Sequence, residues 1–245
     1  MSQPVGSVWL LGCGNMGGAL RARWEAAGIA VTVIDPAFGN VAVPSGQPDI
    51  LVLGVKPQIW RDAAASVASP KLVMSVMAGV TCAALAARFP DTPVIRTMPN
   101  TPARLGLGIT ALYGHAATPG DRATAEAMMR AAGTCVWLDR EGDFDAVTAL
   151  SGSGPAYLFA FIEALAAAGV AAGLTPRLSD ELARHTVIGA TALAAESGAV
   201  PADLRAAVTS HGGTTAAGLA VLQAGLPKLL CATVAAAQTR SRQLG

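Results

Sequence analysis

Short apolar runs rich in branched side chains alternate with helical stretches over the first half of the chain. Five runs predict strands at residues 8–12, 30–35, 50–55, 71–77 and 93–98, and two weaker runs extend the series at 108–113 and 134–138. Strands that alternate with helices form βαβ units, whose strands lie parallel and are covered by helices. The pattern therefore predicts an α/β fold with a parallel sheet.

The pattern changes after Asp145, where strand signals stop and long alanine- and leucine-rich stretches begin. These stretches are interrupted by residues that end and start helices, at 173–176, 196–201 and 210–213. The glycines and proline near 149–159 suit a boundary. We therefore expect an α/β domain over residues 1–146 and an all-helical domain over residues 147–245.

The helical half carries more apolar surface than a monomer buries comfortably. Residues 156–174 are nearly long enough to span a bilayer, but Glu163 lies in the middle, where a carboxylate is costly. The mean hydropathy of the chain is +0.47, and only 13% of its residues are charged. We expect a subunit interface rather than a membrane, and hence a homodimer or a larger homo-oligomer.

Charge and cysteine content argue against a nucleic-acid ligand, a metal site and a disulfide framework. With 17 basic and 16 acidic side chains and no charge cluster, the chain offers no surface for nucleic acid, so a small molecule is the expected ligand. The four cysteines lack paired spacing, and no metal site or disulfide framework is expected. The start of the chain lacks the features of a secretory signal, and a reduced cytoplasmic setting fits best.

A glycine-rich stretch, LLGCGNMGGAL, directly follows the first predicted strand and opens a helix. Gly12, Gly14 and Gly17 have the G-x-G-x-x-G spacing of a dinucleotide-binding loop, and the remaining loop residues Cys13, Asn15 and Met16 are assigned to the same site. Such a loop gives a tight turn, a close approach to pyrophosphate and a helix N-terminus for the phosphates. The alternative is a glycine-rich turn that binds nothing.

Asp35 ends the second predicted strand, 18 positions after Gly17. A carboxylate there typically accepts hydrogen bonds from the adenosine ribose and would repel a 2′-phosphate, which favours NADH over NADPH. The alternative is an aspartate that caps the turn ahead of Pro36. The cofactor prediction is therefore NADPH or NADH, with Asp35 favouring NADH.

Four stretches in this order resemble the pyrroline-5-carboxylate reductase family: GVKPQ (54–58), RTMPNTP (96–102), LSGSGPAYLF (150–159) and VTSHGGTTAAGL (208–219). The resemblance covers nearly the whole chain. It implies a Rossmann domain, a helical dimerisation domain, and an enzyme that reduces the C=N bond of 1-pyrroline-5-carboxylate to give L-proline.

The resemblance also implies further cofactor-binding residues: Val55, Lys56, Pro57, Ala78 and Asn100. Taken alone, Lys56 is more often a solvated loop lysine. Asn100 lies in a stretch that Pro99 and Pro102 would make a rigid turn, and both interpretations of that stretch can hold.

The helical pattern of the second domain is interrupted at SHGGTT, residues 210–215, where we expect the substrate to bind. Gly212 and Gly213 leave room for a ligand, and Thr214 and Thr215 start a helix whose first N–H groups lack partners, so that they can hold a carboxylate. By resemblance, the catalytic Thr215 hydrogen-bonds the substrate nitrogen, and Ser210 helps to close the loop. The alternative is simple helix capping.

Two features depart from the family pattern. Only 14 residues separate Asp35 from Ile50, too few for the usual helix and strand, so we expect part of the adenosine pocket to be rebuilt or open. His211 stands where the family usually has proline; it either loosens the loop or adds a titrating cation.

Two rival functions remain. Related hydroxyacid and imine reductases tend to use a lysine on a helix of the second domain, and after residue 145 this chain has only Lys228. A non-catalytic dinucleotide sensor is the second rival, since the short segment after Asp35 makes it conceivable.

Overall fold

A seven-stranded sheet organises the computed structural model, which describes residues 5–39 and 42–244. Its strands are β1 (Val8–Leu11), β2 (Val31–Ile34), β3 (Ile50–Leu53), β4 (Leu72–Ser75), β5 (Val94–Met98), β6 (Gly108–His115) and β7 (Gly133–Trp137), in the spatial order β2-β1-β3-β4-β5-β6-β7. All seven predicted strands are present. The α/β fold class is confirmed.

The direction of β6 corrects the prediction of a parallel sheet. β6 pairs antiparallel with β5, with Val94 opposite His115, whereas every other pair in the sheet is parallel. Only nine residues join Met98 to Gly108. A parallel connection needs a crossover of a dozen or more, so the chain turns back instead.

Helices cover both faces of this sheet because its strands are apolar on both faces. Side chains of β1 alternate between two buried clusters: Val8 and Leu10 belong to one, Trp9 and Leu11 to the other. This burial on both faces is typical of parallel sheets in α/β proteins. The helices of this half are α1 (Asn15–Ala26), α2 (Trp60–Ala63), α3 (Cys82–Arg88), α4 (Pro119–Arg130) and α5 (Phe144–Val147).

The second half is helical, as predicted. A π-helical turn over Thr148–Gly152 leads into α6 (Gly154–Ala171), followed by α7 (Pro176–Ser197), α8 (Pro201–Ala207) and α9 (Thr214–Leu244). The predicted breaks fall at the ends of these helices. Glycine in the left-handed conformation caps α7 at Gly198, as expected for a helix stop.

The chain divides into two compact units. The first contains the residues up to Pro155 together with those from Ala236 onward, and the second contains Ala156–Ala235. The predicted domain limit at residue 146 stays a prediction. Residues 1–4, 40, 41 and 245, which fall within the predicted domains, lie outside the described residues.

The second unit has little core of its own. Within Ala156–Ala235 the buried residues among those described are Ser179, Ala183 and Val187, all on α7, and α6 buries none. The segments Glu141–Ala171 and Thr214–Leu244 are each long and apolar enough to cross a membrane by length and composition. Helices that complete a core with a second subunit have the same character.

Candidate cofactor site and substrate loop

The glycine-rich loop between β1 and α1 has the geometry that a dinucleotide requires. Gly12 has φ +91°, and a Cβ there would lie 2.6 Å from the Val55 side chain. A Cβ on Gly17 would overlap the Gly12 carbonyl oxygen, whereas one on Gly14 would meet no described atom within 4 Å. The first and third glycines therefore permit the turn and the close helix packing, and the second leaves open space for a pyrophosphate.

The N-terminus of α1 offers donors to that open space. Gly14 is the N-cap, no side chain caps the helix, and its first turn contains no acidic residue. The first amide hydrogen bond of this turn runs from Gly18 N to the Gly14 carbonyl oxygen at 2.7 Å, so the amides of Asn15, Met16 and Gly17 precede the helical ladder. These groups fit a negatively charged phosphate.

Asp35 fulfils the capping role and also touches the loop. Its Oδ1 accepts a hydrogen bond from Ala37 N at 2.8 Å, which caps the 3-10 turn Pro36–Phe38, and its Oδ2 accepts one from Cys13 N at 2.6 Å. The amide of Cys13 is therefore engaged, and its thiol is buried, which raises the thiol pKa. Each carboxylate oxygen retains a lone pair for a ribose hydroxyl.

A cleft of about 710 Å³ opens at the carboxyl ends of β1, β2 and β3. The structure brings five of the predicted cofactor residues together in its lining: Gly12, Gly14, Asp35, Val55 and Lys56. The other predicted cofactor residues lie outside that lining: Cys13, Asn15, Met16, Gly17, Pro57, Ala78 and Asn100. Lys56 is exposed, as expected for a loop lysine, and it lies at the mouth of the cleft.

The shortened segment after β2 reshapes one wall of this cleft. Among the described residues, it forms one 3-10 turn and no further strand, so β2 is an edge strand of the sheet. Pro36 and Val43 contribute this wall. On the side of β3 the lining comes from α2 and the residues next to it, which contribute Ile59, Asp62, Ala63 and Ser66.

Sequence reasoning missed these four lining residues on the side of β3. Their spacing of i, i+3, i+4 and i+7 is that of one helical face, and they directly follow the strand that carries the GVKPQ motif. The signal was therefore present in the chain.

Asn100 is a buried linker in the turn after β5. Its Oδ1 accepts a hydrogen bond from Ile109 N at 3.0 Å, and its Nδ2 donates to the Ser151 carbonyl oxygen at 3.2 Å. Ser151 belongs to the π-helical turn, a type of distortion that is frequent at functional sites. Asn100 thus joins two of the motifs that carry the resemblance, RTMPNTP and LSGSGPAYLF.

A buried ion pair joins Arg96, on the strand that precedes this turn, to Glu141. Arg96 Nη1 lies 3.1 Å from Glu141 Oε1, and the guanidinium carbon lies 4.3 Å from the centroid of the Phe144 ring. The same Glu141 oxygen accepts a hydrogen bond from Cys82 N at 2.7 Å, at the start of α3. Burial, reinforced by the Glu141 charge, raises the pKa of the Cys82 thiol to about 12, so this thiol is not a nucleophile at neutral pH.

The predicted substrate loop joins α8 to α9. Gly213 N donates to the Ser210 carbonyl oxygen at 3.1 Å, and Gly212 is left-handed with φ +68°. A Cβ on Gly213 would overlap the Ser210 hydroxyl. Ala217 N donates to the Gly213 carbonyl oxygen, so the amides of Thr214 and Thr215 precede the ladder of α9, and both side chains are exposed.

A larger cleft, of about 1070 Å³, lies at the opposite, amino edge of the sheet and contains none of the predicted site residues. Its polar groups satisfy one another: Asp49 accepts from the amide and hydroxyl of Ser7 and pairs with Lys71 Nζ at 2.7 Å. These contacts, Lys71 first, lower the Asp49 pKa to about 2. Parallel α/β sheets bind ligands at their carboxyl ends, so this cleft is not the candidate site.

Comparison with known proteins connects this geometry to a family. Residues 141–244 match the family model for pyrroline-5-carboxylate reductase dimerisation. The chain is 36% identical to the pyrroline-5-carboxylate reductase of Pseudomonas aeruginosa, over 100% of this chain and 98% of that protein.

Two solved structures agree with this relationship. A pyrroline-5-carboxylate reductase from Coxiella burnetii superposes with a TM-score of 0.87 at 31% identity, covering 98% of this chain and 99% of that one. The pyrroline carboxylate reductase of Plasmodium falciparum, solved with NADP bound, gives a TM-score of 0.83 at 26% identity over the full length of both chains. The resemblance inferred from the sequence motifs is confirmed, and the chain belongs to the pyrroline-5-carboxylate reductase family.

Proposed function

We propose that the protein reduces 1-pyrroline-5-carboxylate to L-proline at the expense of NADH or NADPH. The observation that carries this proposal is the match to a pyrroline-5-carboxylate reductase over the whole chain, joined to a glycine loop whose three glycines each have the environment that a dinucleotide needs. The family model over residues 141–244 supports a homodimer or larger homo-oligomer as the working form.

The sheet unit holds the cofactor. The amides of Asn15, Met16 and Gly17 bind the pyrophosphate at the start of α1. Asp35 binds the adenosine ribose, and its negative charge favours NADH over the additional phosphate of NADPH. Val55, Lys56 and Pro57 lie along the cofactor with Ala78 beside it, and Asn100 stands near its nicotinamide end. The reduced nicotinamide supplies the hydride that the carbon of the C=N bond receives.

The substrate loop holds the carboxylate of the pyrroline ring. The free amides of Thr214 and Thr215 face the anion, and the small side chains of Gly212 and Gly213 leave room for it. Ser210 closes the loop around the anion. The Thr215 hydroxyl hydrogen-bonds the ring nitrogen and so fixes which carbon of the ring faces the hydride donor.

This chemistry needs no strong general base. A protonated imine is already electrophilic, and reduction converts it directly into a secondary amine, which takes its second proton from water. The protein acts by positioning and by charge complementarity. Thr215 is therefore the one side chain to which we assign a catalytic role.

A spectrophotometric assay tests the proposal. NADH and NADPH oxidation is followed with 1-pyrroline-5-carboxylate, with a set of keto acids and with other cyclic imines. We expect rapid oxidation with 1-pyrroline-5-carboxylate and L-proline as the product. Faster oxidation with a keto acid would assign the protein to another reductase class, and cofactor binding without oxidation by any substrate would support a sensor.

We also place the protein in the cytoplasm, in keeping with the free cysteines Cys13, Cys82, Cys135 and Cys231.

A further inference from the structure

The rebuilt end of the cofactor cleft is acidic on both walls. Asp35 lines it from the side of β2, and Asp62 lines it from the side of β3, where it is exposed at the start of α2. These two strands flank β1, which carries the glycine loop. A dinucleotide whose pyrophosphate lies on that loop and whose ribose meets Asp35 therefore lies along a wall that contains Asp62.

One basic group near these carboxylates, Arg21, is paired with Glu25 at 2.7 Å, and its guanidinium lies 5.4 Å from the centroid of the Phe38 ring. The lining contains one cationic side chain among the described residues, Lys56, which directly follows the end of β3. The segment from Pro36 to Asp49 contains no lysine or arginine. Arg61, next to Asp62, stacks on the ring of Trp60 at 4.7 Å and does not line the cleft.

We propose that Asp62 is a second cofactor-selecting residue, which acts with Asp35 to exclude the 2′-phosphate of NADPH. A phosphate monoester carries between one and two negative charges at neutral pH, so each nearby carboxylate weakens its binding. For exposed charges a few ångströms apart, this repulsion amounts to roughly a tenfold loss of affinity per carboxylate. NADH has a neutral hydroxyl at this position and is not repelled.

The proposal rests on the proposed function and deepens it by adding a second carboxylate to Asp35. If Asp35 acted alone, Asp35→Ser would be enough to reverse the preference. With Asp62 still in the lining, that substitution only reduces the preference for NADH. Reversal requires a change on both walls.

Fluorescence titration of the full-length protein with NADH and with NADPH, without substrate, tests this inference. We expect wild type to bind NADH more tightly, and Asp62→Asn to raise NADPH affinity by about tenfold while NADH affinity stays within about twofold. Asp35→Ser/Asp62→Lys is expected to prefer NADPH. The matched control is Asp91→Asn, because Asp91 is exposed, lies outside the cleft, and has a left-handed backbone that asparagine tolerates.

The outcomes separate this inference from the proposed function. A wild type that prefers NADPH, or an Asp62→Asn variant whose affinity ratio equals that of wild type, overturns the role of Asp62. A wild type that binds NADH but does not reduce 1-pyrroline-5-carboxylate overturns the proposed function, while the two affinities still decide the role of Asp62.

Discussion

The two halves of the molecule differ in where their stability comes from. The sheet unit buries two large apolar clusters, one on each face, and a small third one, and large side chains such as Trp24 and Phe89 are fully buried. The helical unit leaves comparable side chains in the open: Phe159 is 60% exposed and Leu229 is 64% exposed. The same chain thus contains a half with its own core and a half whose core must be completed by a second copy, as the dimerisation match over residues 141–244 indicates.

The largest expected effect comes from a charge on the helical unit. Phe159→Asp places a carboxylate on an apolar face that we expect to be buried between subunits, so the dimer dissociation constant should rise by more than about a hundredfold. Activity should fall with it. Analytical ultracentrifugation measures the change, with Phe159→Leu as the control that keeps the face apolar. An undiminished dimer would mean that this face lies outside the interface.

A smaller effect is expected from the core of the sheet unit. Arg96→Met removes the buried partner of Glu141 and the ring contact with Phe144, and should lower the free energy of unfolding by about 3 kcal/mol. Unlike the interface variant, it should leave the dimer dissociation constant unchanged. Urea unfolding measures the loss.

The matched control for Arg96 is the exposed pair on α4. Arg130→Met breaks the Arg130–Glu126 contact, in which the arginine side chain is 59% exposed, and should cost no more than about 0.5 kcal/mol. Equal losses in both variants would show that burial does not strengthen the Arg96 pair.

Thr215→Ala should separate the two halves by function. Loss of the hydroxyl that holds the ring nitrogen should lower turnover by about a hundredfold, as for other preorganised donors, with cofactor affinity unchanged because the dinucleotide loop lies in the other unit. Steady-state kinetics measure the turnover, and NADH titration measures the cofactor affinity. Thr215→Ser retains the hydroxyl and should keep most of the turnover. A parallel fall in cofactor affinity would contradict the division between substrate loop and cofactor cleft.

The smallest effect is expected at the amino edge of the sheet. Because Lys71 and Ser7 lower the Asp49 pKa from 3.8 to about 2, the charged form stabilises the fold above pH 4, and this contribution is lost as the pH falls toward 2. Asp49→Asn should therefore be slightly less stable than wild type at pH 5, and the difference should shrink as the pH falls through 2. Thermal unfolding across this range measures the difference; a constant offset would show that the charge is not responsible.

Local pattern was enough to predict some features and not others. The strands and the glycine loop were predictable because alternation and spacing depend on neighbouring residues. The apolar pattern does not give the direction of a strand, so β6 was missed as antiparallel although the nine residues between the predicted strands at 93–98 and 108–113 are too few for a parallel crossover. Asp62 was missed although it shares a helical spacing with Ile59, Ala63 and Ser66, because that spacing does not show that this face lines the cleft that contains Asp35.

The exposed helices also determine how the monomer behaves before it dimerises. Each newly synthesised chain exposes these apolar helix faces until it forms a dimer, so its resistance to aggregation and degradation depends on the local concentration of other copies. Dilution below the dimer dissociation constant should therefore lower activity gradually, as mass action requires, and the separated chains should aggregate or be degraded.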